Sequence, residues 1–140
     1  MAVYLDWKAG IRVDIVERFR DWYDLMVATV ARGVKIRRAR VVSEPITDFV
    51  RHEYESTADL NIAAGEQVRW LPRGRASDLM LPGNDFWLFD DKLVRFGHFA
   101  GDGTYLGQEI VADAAVVRRC SLAFESVWTK AIDHANYKPT

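Results

Sequence analysis

The sequence predicts an α/β fold of the α+β kind: one domain with a mixed, mostly antiparallel sheet of about five strands and helices packed on it. Three observations predict it. Apolar residues recur every three or four positions in three stretches, near 13–32, 46–54 and 116–131, which is the helical period. Between them lie short runs rich in β-branched and aromatic residues, at 34–42, 67–71, 85–89, 92–99 and 104–111. Strong turn signals join the last three runs: Asp90-Asp91, and Ala100 to Gly103 with two glycines around Asp102. A length of 140 residues suits a single domain with a real core.

Composition narrows the function classes. The formal net charge is -1, so nothing pulls the chain as a whole toward nucleic acid or an anionic membrane, and any anion site must be local. Cys120 is the single cysteine. It excludes an intrachain disulfide and a thiolate metal cluster within one chain, and it favours a reducing, cytoplasmic setting. His52, His98 and His134 are scattered without metal-ligand spacing, so no metal or cofactor is expected. The opening residues read as no signal peptide, and no stretch approaches the ~20 apolar residues of a membrane span. Five tryptophans are many for this length and leave a homodimer as an option, with the aromatic opening helix as its first candidate surface.

In chain order, residues 1–12 read as a mixed leader. Val16, Phe19, Trp22, Tyr23, Met26, Val27 and Val30 form one apolar stripe on a helix over about 13–32, and Gly33 closes it at C′. The strand at 34–42 has a broken alternation. A bulge near Arg37 or Arg38 restores an apolar face, or the arginines sit at a solvated strand end, or Arg38 and Arg40 mark an anion-binding strand end. Ser43, followed by Glu44-Pro45, is the expected N-cap of a second helix, with Ile46, Phe49, Val50 and Tyr54 as its apolar face. Residues 57–66 read as a helical turn closing at Gly65. Gln67–Leu71 reads as a strand. Residues 72–78 form a basic loop that, with Arg69, brings Arg73 and Arg75 close in sequence.

The stretch from Pro82 to Phe99 is the densest in aromatics. It reads as a hairpin turning at Asp90-Asp91, with Asp85 near His98 across the strands. Thr104–Val111 adds a third antiparallel strand. Asp113 caps the last helix, whose face is Val116, Val117, Cys120, Phe124, Val127, Trp128 and Ala131. Cys120 lies on that stripe and reads as a core residue. Residues 135–140 read as a fraying tail.

Four stretches carry a family resemblance: ARGVKIRRARVVSEPITDFVR at 31–51, AAGEQVRWLPR at 63–73, LPGNDFWLFDDKLVRFGHFAGDG at 81–103 and FESVWTKAIDHANY at 124–137. They resemble an actinobacterial domain-of-unknown-function family, number 6879, from about residue 30 onward; the first thirty residues match less well. Members are often encoded beside helix-turn-helix regulators, which implies a regulatory role by association. A remoter resemblance is to one half of the phospholipase D-like fold, whose enzymes carry H-x-K-x-x-x-x-D before a hairpin. With Asp90 on the motif's aspartate, Gly83 and Asp85 stand where the histidine and lysine should be. The resemblance therefore implies a half that has lost the phosphohistidine chemistry.

The expectation is a non-catalytic regulatory or binding module. It would act with a protein partner such as a helix-turn-helix regulator, or bind a small ligand in a cleft lined by Arg38, Arg40, Arg69, Asp85, Trp87 and His98. The alternative is a phosphodiesterase or nuclease with a rearranged site. Direct nucleic-acid binding ranks last, because the charges balance.

Overall fold

The structure is a computed structural model that describes residues 2–140. Its elements in order are α1 (Ala2–Lys8), α2 (Ile15–Arg18), α3 (Arg20–Ala31), β1 (Arg37–Val42) and α4 (Asp48–Thr57), which runs on into a π-helical turn (Ala58–Ile62). Then come β2 (Gln67–Pro72), a 3-10 turn (Arg73–Arg75), β3 (Asp85–Phe89), β4 (Leu93–Phe99), β5 (Tyr105–Val111), α5 (Ala114–Lys130) and β6 (Ile132–Asp133). The α+β class stands, but the strands form two three-stranded sheets, β1-β2-β6 and β3-β4-β5, in place of one sheet of about five. The chain divides into two compact units. The first holds the residues up to Ala76 together with Ala131–Thr140, and the second is Ser77–Lys130.

In the first unit β1 and β2 are parallel, with unbroken register from Arg37↔Gln67 to Val42↔Pro72. No bulge interrupts the strand. Strand alternation therefore puts Arg38, Arg40 and Val42 on the same face as Val68 and Trp70. That face carries a core of Val42, Val68, Trp70 and Tyr137, with Ile46, Val50, Tyr54 and Ile132 packed against them. The two arginines thus face inward. Strand β6 pairs antiparallel to β2 through Arg69↔Asp133 and Trp70↔Ile132.

Several local expectations change in this unit. The leader contains α1, whose Tyr4 meets Phe49 edge-on at 5.2 Å, while Trp7 Nε1 donates to Glu55 at 2.6 Å. The helix expected over 13–32 is broken at Phe19 (φ -118°, ψ 34°), whose N–H donates back to Ile15 and Val16 and closes α2. Gly33 does sit at C′, with φ +91° and its N–H on the Val30 carbonyl at 2.9 Å. The N-cap of α4 is Thr47 and not Ser43: its side chain accepts from Val50 N–H at 3.2 Å.

Residues 43–46 stay a loop because the C-terminal segment holds them. Tyr137 Oη donates to Glu44 at 2.8 Å, and Ile46 N–H donates to the Thr140 carbonyl at 2.8 Å. The C-terminal segment expected as a tail is docked at Tyr137, which is 3 % exposed and stacks on Trp70 at 5.5 Å.

The second unit is an antiparallel meander with one helix. Asp90 and Asp91 have φ of 53° and 52°, and Lys92 N–H returns to the Phe89 carbonyl, as a tight hairpin turn requires. The register that follows is Asp85↔Gly97 through Phe89↔Leu93. Strand β4 is central, and a bulge at His98/Phe99 offsets its pairing with β5. Asp113 Oδ1 accepts from the N–H groups of Ala115 and Val116 and caps α5. The α5 stripe buries Val117 and Cys120 against Val94, with Phe86, Leu88 and Phe96 alongside. Among the described residues no helix is long and apolar enough to cross a membrane.

Candidate functional site

The inward arginines of β1 border a cavity of about 330 Å³ in the first unit. Its apolar wall comes from α1 to α3, through Tyr4, Phe19 and Trp22, and from Phe49 on α4. Its polar wall comes from β1 and α4, through Arg38, Arg40, His52 and Glu53, with Asn61 of the π-helical turn.

Every charged group on the polar wall has an opposite partner. Arg38 Nε donates to Glu66 Oε1 at 2.8 Å, and Asn61 Nδ2 donates to the second oxygen, Oε2, at 2.7 Å. Glu66 sits just before β2, and its side chain is fully buried. Arg40 Nη1 donates to Glu53 Oε2 at 2.5 Å. Aromatic faces complete the arrangement: Arg38 lies 5.9 Å from the Trp22 ring centre and Arg40 5.4 Å from that of Trp70.

Among the described residues, two buried polar atoms at this site have no hydrogen-bond partner, Arg40 Nε and His52 Nδ1. Buried polar groups are nearly always bonded, so these two covered atoms, on residues that line the cavity, are exceptions. Burial pushes the Arg40 guanidinium below its ordinary range, with Glu53 opposing the shift. Burial also lowers His52, against the pull of Glu53 and Glu55, so its imidazole is neutral at pH 7. Its ring packs against Tyr4 and Trp7, with centroids at 5.9 and 5.5 Å.

The six residues expected to line one cleft are divided between the units. Arg38 and Arg40 come together as described. Arg69 shares their sheet but projects from the other face, where it bonds Asp133 at 2.8 Å. Asp85, Trp87 and His98 belong to the second unit. Asp85 lies opposite Gly97 on the face that carries Trp87, and His98, one residue on, takes the other face. The Asp85–His98 pair therefore does not form; His98 Nε2 meets Glu109 Oε1 at 3.1 Å instead.

The sequence reading missed Glu53, Glu66 and Asn61. One signal was present: two arginines alternating with apolar residues on one strand, which require buried acids if that face points inward. Cys120 is 2 % exposed and burial raises its pKa, consistent with a packing role. Among the described residues no three or more His, Cys, Asp or Glu converge as metal ligands.

A family model described as "Domain of unknown function (DUF6879)" matches residues 2–139, so the chain belongs to that family, and the match includes the first thirty residues. No curated protein and no solved structure matches the chain.

Proposed function

We propose that this member of the DUF6879 family is a cytoplasmic, non-catalytic binding module with a regulatory role, and that its first unit takes a small, flat ligand in the cavity beside Arg38 and Arg40. One observation carries the reading: an aromatic-walled cavity of about 330 Å³ is lined by Arg40 and His52, each with a buried polar atom, Nε and Nδ1, that has no hydrogen-bond partner among the described residues. Mostly apolar walls with a few fixed polar groups are the usual form of a small-molecule site.

Support for the absence of catalysis is local. Gly83 and Asp85 stand where a phospholipase D-like half would need histidine and lysine, and Asp85 and His98 take opposite faces of their sheet. The phosphodiesterase alternative has no comparable support. In this proposal a protein partner reads out ligand occupancy, and the partner suggested by the family resemblance is a helix-turn-helix regulator.

The test is a thermal-shift panel of aromatic fragments of negative, neutral and positive charge, run on the wild type and on Ser56→Phe. Ser56 lines the cavity, and the larger side chain would fill it. Saturating a site at 100 times Kd stabilises a fold by about 2.7 kcal/mol. We expect upward shifts that vanish in Ser56→Phe while its circular dichroism stays native. A panel without shifts, or shifts equal in the two proteins, would sink the reading.

A further inference from the structure

The cavity's charges come as matched pairs, and that balance constrains what can enter. Arg38 faces Glu66, and Arg40 faces Glu53. Among the described residues, the remaining ionisable group on the polar wall is His52, which burial keeps neutral at pH 7. The wall is therefore close to net zero, although a strand carrying two arginines suggests an anion site. A carboxylate or phosphate entering it would bring an uncompensated charge against Tyr4, Phe19 and Trp22. Burying such a charge costs far more than one hydrogen bond returns.

An uncharged acceptor meets no such penalty. Arg40 Nε is a covered donor with no acceptor among the described residues, and a carbonyl or ring nitrogen that displaced the side chains over it would satisfy it without breaking the Arg40 Nη1–Glu53 bond. His52 Nδ1 is a second buried polar contact. The aromatic wall favours a flat ring. Resting on the binding-module reading, we infer that the ligand is an uncharged planar molecule with a hydrogen-bond acceptor, of the aromatic amide or neutral heterocycle class, and not an anion.

Benzamide and benzoate test this directly, because they share size and shape and differ in charge. Titration calorimetry at pH 7.5 should show benzamide binding the wild type at least about 10-fold more tightly, equivalent to about 1.4 kcal/mol. Glu53→Gln removes one carboxylate and leaves the wall net positive, so the preference should move toward benzoate by a similar factor. Circular dichroism checks that this variant folds; if it does not, the wild-type comparison alone decides. Benzoate binding the wild type as tightly as benzamide, or neither binding, overturns the inference. So does a folded Glu53→Gln protein that keeps the benzamide preference. The two failures are separable. Fragment shifts that vanish in Ser56→Phe, together with a benzoate preference, remove the ligand class and leave the binding module standing; shifts insensitive to Ser56→Phe remove both.

Discussion

The two units bury different things. The second unit has an apolar core of Val94, Val117 and Cys120, and its polar pairs lie on the surface: His98 with Glu109, and Lys130 with Asp78 at 2.9 Å. The first unit buries ions beside its own apolar core of Val42, Val68, Trp70 and Tyr137: Glu66 is fully enclosed and ties together Arg38 and Asn61, and Arg40 and Glu53 meet at the rim of a cavity. An apolar core needs only burial to be stable. A buried ionic network needs each partner in place, and such networks concentrate where a protein binds or switches. The difference directs attention away from the aromatic hairpin of the second unit, with its acids and histidine, and toward the strand that carries two arginines.

The largest expected effect breaks the network at its centre. Glu66→Ala removes the carboxylate to which Arg38 Nε and Asn61 Nδ2 both donate. Removing one member of a buried ion pair typically costs about 3–5 kcal/mol. Urea unfolding should show a midpoint lowered to match. A loss under about 1 kcal/mol would mean that the network is not what holds this region.

A second effect should appear on acidification, and the first unit supplies its mechanism. His134 Nδ1 accepts from Trp70 Nε1 at 3.0 Å, which requires that nitrogen to be unprotonated. Burial, and then the charge of Arg40, lowers His134, and burial lowers His52. Both folded-state values thus lie below the ordinary value of about 6.5. As pH falls through that value the unfolded chain takes up protons that the folded chain does not, so stability falls. It is complete above about pH 7 and declines below about pH 6.5, until the folded groups themselves protonate. Thermal melts from pH 7.5 to 5 should show the decline. His134→Gln keeps an acceptor for Trp70 but cannot titrate, so its decline should be shallower. An identical slope in that variant would refute the assignment.

What the sequence revealed follows the range of the interactions. The register Asp85↔Gly97 follows from a turn at Asp90-Asp91, and the Asp113 cap and the α5 stripe are local patterns, so all were legible. Helix α1, at seven residues, and strand β6, at two, are too short to show a period; they are fixed by docking, through Tyr4 and Trp7 in one case and by pairing with β2 in the other. The N-cap of α4 was misplaced because Glu44 is held by Tyr137, 93 residues away. The cavity was half legible. Arg38 and Arg40 were visible as an anomaly on a strand, but their partners lie 28 and 13 residues further along. Without Glu53 and Glu66 the arginines read as an excess of positive charge; with them, the wall is neutral.

The smallest expected effect lies in the second unit and is the counterpart of the first. Glu109→Ala also removes a carboxylate from a basic partner, here His98 at 3.1 Å. Both side chains are well exposed, at 57 % and 39 %. Water and salt screen such a pair, and holding two surface side chains in one geometry costs entropy. The expected loss is below about 1 kcal/mol, and it should shrink further as salt is raised. Urea unfolding of the two alanine variants under one buffer measures the contrast. Equal losses from Glu66→Ala and Glu109→Ala would remove the distinction between the units. A loss at least three times larger for Glu66 would place the ionic contribution to stability in the unit that also contains the cavity.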